Sequence, residues 1–301
     1  MPADRIPSKE SAPDDRSSFM DSARRTTEVE PILTVHPEPG VAKPNPILTM
    51  DGLRRSFGGL TAVDIDHLEI ERGIVTALIG PNGAGKTTLF NLLTGFDRAD
   101  RGSWVFDGRR VTSPSPDRLA RRGMVRTFQL TKSLAKLSVL QNMLLGAPDQ
   151  IGERLWAAPF RHLWQDQERI NTERADELLE QFNLAHMRNE MAGTLSGGQR
   201  KLLEMARALM SDPALVMLDE PMAGVNPALA QSLLGHITQL ALSGVSVVYI
   251  EHDMDVVSGI SDWVVVLAQG RVIAEGGPWK VIHDDVVIDA YLGRRRTGTA
   301  S

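Results

Sequence analysis

The chain contains no cysteine. That excludes disulfides, thiolate nucleophiles and cysteine-ligated zinc, and it fits a reducing compartment. Positive charge is not in excess either: 33 Lys and Arg stand against 38 Asp and Glu, a net charge of −5. A basic face of the kind that grips phosphate backbones is therefore not expected, which argues against nucleic acid as a partner. Long hydrophobic runs are missing as well. The best stretches, VSVVYI and WVVVLA, fall far short of the ~20 apolar residues a helix needs to cross a bilayer. The opening MPADRIPSKESAPDDRSSF mixes acids, bases and prolines without an apolar core, so no secretory signal is expected there. The chemistry is expected to stay in the cytoplasm, and a membrane role would need a separate membrane partner. Internal repeats and long heptad patterns are absent too.

What is present has a clear order. Residues 1 to about 45 are rich in Pro, Ser and charge and read as a disordered tail. Order is expected from ILTMDGL onward. VDIDHLEI alternates as a half-buried strand, IVTALIG is a continuous apolar run, and SWVFDGRRV reads as two short strands around Asp107-Gly108. From about 130 to 195 the pattern turns helical, with Ala175, Leu178, Leu179 and Phe182 marking one face of a helix from near Asn171. Trp156, Phe160 and Trp164 stand at four-residue spacing and form either a buried face or a docking surface. After residue 195 helices alternate with the apolar runs ALVMLDE, VSVVYIEHD and WVVVLAQG, which predicts a parallel sheet covered on both faces. The tail from 294 to 301 carries Arg294, Arg295 and Arg296, either solvated or in contact with anionic lipid. His67 and His236 are read as surface residues.

GPNGAGKTT, residues 80–88, fits the phosphate-loop pattern G-x-x-x-x-G-K-[ST]. An apolar strand leads in and an amphipathic helix leads out. Gly80, Pro81, Asn82, Gly83, Ala84 and Gly85 can turn backbone N–H groups inward around phosphate, at a helix start whose dipole favours anions. Lys86 can reach the outer phosphates, Thr87 can offer a hydroxyl to Mg²⁺, and Thr88 continues the helix. A triphosphate with Mg²⁺ needs a second anchor, and LVMLDE supplies one. Asp219 ends an apolar strand where sheet ligands bind, and Glu220 can orient or deprotonate an attacking water. LSGGQ, residues 195–199, is a second glycine-rich helix start. Ser196 and Gln199 have capping-box spacing, and Gly197 and Gly198 are expected to leave the helix entrance bare for an anion. One triphosphate would have difficulty touching both loops of one chain. Each loop is therefore expected to complete a site on a second copy or a sister chain, in a head-to-tail pair holding two nucleotides.

GPNGAGKTT, LSGGQ and LVMLDE, in that order over residues of about 46 to 293, resemble the ATP-binding subunit of an ABC transporter. The resemblance implies an α/β fold: a P-loop NTPase (RecA-like) core with an antiparallel β subdomain and an α-helical subdomain, about 130–195, carrying the signature. It implies ATP and Mg²⁺ as ligands. Phe57 matches the aromatic ring that stacks on adenine, the plainer alternative being a core residue at a strand end. Gln129 matches the glutamine that reaches the metal site and links it to the transport partner, and His252 matches the histidine at the γ-phosphate. Where the family has an acidic residue after the catalytic glutamate, MAGVNP places Asn226, a lost charge that could weaken coupling across the pair. FGGLTAV, VRTFQ, EPMAGVNP, IEHDM and the closing AYLG are similar to the longer ATPase of branched-chain amino-acid importers. That implies a sister ATPase, in a hetero- or homodimer, two permeases and, indirectly, a substrate-binding protein, at the cytoplasmic face of the membrane. Related systems for urea or short amides, or an exporter, would use similar ATPases. A soluble ABC ATPase acting on DNA or ribosomes is disfavoured by the missing coiled coils and basic face, and a small-molecule kinase would make LSGGQ a mere helix cap.

Overall fold

The computed structural model describes residues 33–127, 134–148 and 165–292. Two long strands come first, β1 (Pro46–Phe57) and β2 (Leu60–Glu71), followed by the short β3 (Val75–Ile79) and helix α1 (Lys86–Leu93). Strands β4 (Arg101–Phe106) and β5 (Arg109–Arg110), helix α2 (Pro116–Arg121) and strand β6 (Met124–Arg126) precede the helices α3 (Val139–Leu144) and α4 (Gln165–Gln181). Then come α5 (Gly197–Leu209), β7 (Leu215–Asp219), α6 (Pro227–Leu242), β8 (Ser246–Ile250), α7 (Met254–Ile260), β9 (Trp263–Ala268), β10 (Arg271–Gly276), α8 (Pro278–Ile282) and α9 (Asp285–Leu292).

The strands form two sheets. The first is antiparallel in the order β2-β1-β4-β5; the second has the order β10-β9-β3-β8-β7-β6. The predicted hairpin between β4 and β5 turns on Asp107 and Gly108, both at positive φ, as a two-residue connection requires. In the larger sheet β6, β7, β8, β3 and β9 are mutually parallel, and β10 pairs antiparallel with β9. The expected parallel sheet therefore has one antiparallel edge, since a tight turn at Gln269-Gly270 reverses the chain where no helix intervenes.

Strands β3, β7 and β8 are buried at every residue, and their alternation decides which core each side chain joins. Val75, Ala77, Ile79, Val216, Leu218, Val247 and Tyr249 pack with α3, α4, α5 and α6. Leu78, Leu215, Met217, Val248 and Ile250 face the other way, onto α1 and the antiparallel sheet. Both faces of the sheet are covered, so these strands read as unbroken apolar runs.

The packed chain starts earlier than its composition suggests. Leu33 is buried, and the Lys43 ammonium is fully enclosed 2.7 Å from Glu275 of β10. Glu275 also accepts from the Gly40 and Val41 N–H groups and from Trp263 Nε1. Residues 33–45, expected in the tail, are instead fastened by carboxylates: Glu275, and Glu69 and Glu71 of β2, which accept from the Lys43 and Asn45 N–H groups at 2.6 and 3.0 Å. Helix α4 is already formed at Gln165, ahead of the expected start near Asn171. Its first turns carry no apolar stripe and are mainly exposed, supported by an Arg169–Glu173 pair at 2.8 Å. His236 is not a plain surface residue: it stacks on Phe182 at 4.2 Å, and burial pushes its imidazole below the ordinary range. Residues 1–32, the 149–164 segment with Trp156, Phe160 and Trp164, and residues 293–301 lie outside the described residues.

Candidate functional site

The phosphate-loop residues join β3 to α1. Gly80, Gly83 and Gly85 all have positive φ, and for two of them space also forbids a side chain. A Cβ on Gly80 would run into the Leu267 carbonyl, and one on Gly85 into that of Ala62. Gly83, by contrast, faces open space. The loop is held from behind, where Gly270 donates to Ala84 O at 2.9 Å. Gly85 starts α1 with no side-chain cap, so the first N–H groups of the helix remain for a ligand. Lys86 Nζ bonds Gly80 O at 2.7 Å and Pro81 O at 3.0 Å. Burial pushes the Lys86 ammonium down, and the charges of Glu220 and Asp219 oppose that shift. A lysine at one end of the sheet thus feels two carboxylates more than a hundred residues away in sequence. Thr87 is exposed.

Asp219 ends β7, as expected, and is buried. Its partner was not anticipated. Arg126, at the end of β6, sets Nη2 2.7 Å from Asp219 Oδ2 and Nη1 2.6 Å from Asn91 Oδ1 of α1. Both charged side chains are largely enclosed, and the guanidinium lies 5.6 Å from the Phe90 ring centre. Strands β6 and β7 are adjacent in the sheet, so one arginine fixes the carboxylate against the phosphate-loop helix. The sequence signal was only the arginine in VRTFQ, with nothing local to name its partner.

Glu220 follows with φ of 47°, a conformation that costs a non-glycine residue about 1–3 kcal/mol and tends to occur where function needs it. Its N–H donates to Ile250 O at 3.2 Å, tying it to the end of β8. Next along that strand Glu251 is buried and His252 exposed. Glu251 Oε2 accepts from the His252 N–H at 2.9 Å and lies 3.2 Å from His252 Nδ1. Phe57 is not a core residue: the residue is 46% exposed, with the Arg55 guanidinium 4.5 Å from the ring centre. Asp97 and Asp100 hold that guanidinium in turn. One face of Phe57 is therefore backed by a cation, and a flat ring can use the other.

The capping box at Ser196 is formed: Ser196 Oγ accepts from Gln199 N at 3.2 Å, and Gln199 Oε1 from Ser196 N at 2.9 Å. The two glycines differ. Gly197 faces open space, but a Cβ on Gly198 would strike Leu229 of α6. The helix entrance is thus bare at Gly197 only, and Gly198 is small because two helices meet there. The phosphate loop packs against Ala62, Leu267 and Gly270, whereas the signature loop packs against α6. Asn226 is explained by its place: it is the N-cap of α6, with Oδ1 accepting from Leu229 N at 2.9 Å. An aspartate would do the same, so the neutral side chain keeps the loop's geometry. Gln129 lies outside the described residues.

The sequence profile of a family described as ABC transporter matches residues 63–223. A probable branched-chain amino acid transport ATP-binding protein of Archaeoglobus fulgidus is 42% identical over 82% of this chain and 95% of its own length. A high-affinity branched-chain amino acid transport ATP-binding protein of Pseudomonas aeruginosa is 41% identical over 82% and 98%. Among solved structures, the ADP conformation of an ABC transporter's ATP-binding cassette has 38% identity and a TM-score of 0.72, covering 83% of this chain and 99% of its own. A nucleotide-free cassette has 38% identity and a TM-score of 0.70, covering 81% and 98%.

Proposed function

The chain belongs to the ATP-binding subunits of ABC transporters, and from that premise we propose that it powers an importer of branched-chain amino acids. In this reading it pairs with a second ATPase, a sister or a copy, and acts on two membrane permeases that receive cargo from a binding protein. The observation that carries the ATPase chemistry is that β3, β8 and β7, neighbours and parallel in one sheet, bring the phosphate loop, His252 and the Asp219–Glu220 pair to the same end, with Arg126 joining Asp219 to Asn91 of the phosphate-loop helix. Relatives at 37–42% identity that are named for branched-chain amino acid transport support the cargo.

Each residue then has a task. The loop N–H groups and Lys86 hold the β- and γ-phosphates, and Phe57, backed by Arg55, takes the adenine on its free face. Glu220 orients the attacking water and accepts its proton. Lys86 and His252 balance the charge that builds on the γ-phosphate. The exposed Thr87 hydroxyl and the Asp219 carboxylate are hard oxygen donors of the kind Mg²⁺ takes. When bound, that ion would neutralise phosphate charge. Ser196, Gly197, Gly198 and Gln199 would close over the partner's nucleotide. Positioning and electrostatics, not covalent steps, supply the rate.

Among the described residues no helix is long and apolar enough to cross a membrane, so the proposed station at the cytoplasmic face depends on the permeases. A cleft of about 290 Å³, lined by Thr94, Phe96, Leu119, Met124 and Arg126 among others, is suited to an apolar permease helix. It adjoins the strand that leads to Gln129, the proposed link to the nucleotide. Glu220→Gln should bind ATP normally yet lose nearly all hydrolysis, measured as phosphate release by the full chain with its partners. Normal turnover in that variant would remove Glu220 from its role. Leucine uptake, against urea uptake, by the reconstituted assembly tests the cargo.

A further inference from the structure

Lys201 lies one turn into α5, five residues beyond Ser196 and half-buried. Its Nζ donates to Pro221 O at 2.9 Å and to Ala223 O, two carbonyls in the stretch that follows Glu220. That stretch has its own turn, with Ala223 N bonded to Glu220 O at 3.1 Å and Val225 N to Met222 O at 3.2 Å. At its far end Asn226 caps α6, whose Leu229 touches Gly198. Residues 220–229 are therefore fastened to the signature helix twice, by Lys201 near Glu220 and by Leu229 beside the signature loop. Lys201, Glu204, Asp219, Glu220 and Thr127 also share a cavity of about 20 Å³, room for one water. Burial pushes the Lys201 ammonium down, against the charges of Glu204, Glu251 and Glu220.

We propose that Lys201 is a positioning residue that couples the two nucleotide sites, by fixing the backbone after Glu220 to the same rigid helix whose first turn presents Ser196 and Gly197. The inference rests on the reading that each signature loop completes the partner's site. Seating of that loop on the partner's nucleotide moves the start of α5, and the lysine carries the movement to Glu220 in the home site. An ammonium bound to carbonyl oxygens suits this task. It holds an irregular loop whose acceptors have no strand ladder.

The test compares Lys201→Met and Lys201→Arg in the full chain within its assembled pair, with ATP turnover measured across ATP concentration. Methionine keeps the apolar stem and removes the donors; arginine restores them. Lys201→Met should lower kcat by about tenfold to a hundredfold, the loss expected when a reacting group shifts by about 1 Å. KM for ATP should stay within about twofold, because phosphate and adenine contacts are untouched. The Hill coefficient should fall to about 1, the value for independent sites, and Lys201→Arg should regain most of both. A wild-type coefficient of 1, a Met variant with unchanged kcat, or a loss of kcat with cooperativity intact would each overturn the inference. Melting temperatures of both variants separate a folding defect from a coupling defect: if Met fails to fold, Arg and Lys201→Gln decide by the same split. Ser196→Arg, run alongside, tests the premise. If it abolishes turnover while Lys201→Met is silent, the lysine's role alone falls; if Ser196→Arg is silent, the shared site falls and the coupling with it.

Discussion

Arg126→Met removes a guanidinium from a nearly closed site and leaves the Asp219 carboxylate behind. The wild-type pair meets at 2.7 Å with both side chains more than nine-tenths enclosed, so a methionine in the arginine's place leaves the carboxylate largely out of water without a cation. Removing one partner of such a pair costs about 3–5 kcal/mol, mostly the penalty of an uncompensated buried charge. At about 2–4 °C per kcal/mol for a domain of this size, the melting temperature should fall by roughly 6–20 °C. Urea titration of the nucleotide-free chain, followed by fluorescence of the buried Trp104 and Trp263, gives the free energy directly. The control is Asp219→Asn in the Arg126→Met background, which removes the stranded charge and should recover more than half of the loss. Neighbouring sites are expected to show that kind of non-additivity. A single variant within about 1 kcal/mol of wild type, or a double variant equal to the sum of the two singles, would refute the claim that this pair is a buried electrostatic unit.

Other predictions follow from the same structure. Lys43→Met should destabilise the chain by about 3–5 kcal/mol, because Glu275 would lose the enclosed ammonium beside it; a change below about 1 kcal/mol in urea titration would mean that this pair does not fasten residues 33–45. Asn226→Ala should lose about 1 kcal/mol of stability as the α6 cap is deleted, and Asn226→Asp should match wild type; an aspartate variant as weak as the alanine would end the capping account. Burial holds the Glu251 carboxyl above the usual carboxylate range. The native chain then keeps that proton to a higher pH than the unfolded chain, so stability falls as pH rises from the unfolded value through the folded one. Relative to Glu251→Gln, the wild type should therefore lose stability as pH rises above the ordinary carboxylate value of about 4; a difference that stays constant with pH would show that burial does not control this group.

The reach of sequence reasoning here follows the range of each interaction. β3, β7 and β8 were legible because a strand buried on both faces leaves an unbroken apolar run, and the phosphate loop because its glycines answer local backbone demands. At Gly80 and Gly85 positive φ and a facing carbonyl act together, and only one residue type meets both. Charges that pair across the fold leave no such mark. Arg126 and Asp219 are 93 residues apart, Lys43 and Glu275 are 232 apart; in sequence Arg126, Lys43 and Glu275 look like ordinary surface charges, and Asp219 is marked by its strand end but not by its partner. This is why residues 33–45 read as tail and why the anchor of Asp219 went unseen. Gly198 lies between these cases. Its motif marked it as special, but the nearby cause is Leu229, a contact that only the packing of α5 on α6 could reveal. The same division explains Asn226. Judged by charge it looks like a loss; judged by the N–H it accepts, it keeps the geometry that an aspartate would keep. A motif therefore reports which backbone shape is required, while the charges that hold that shape in place are fixed by distant partners and must be read from the fold.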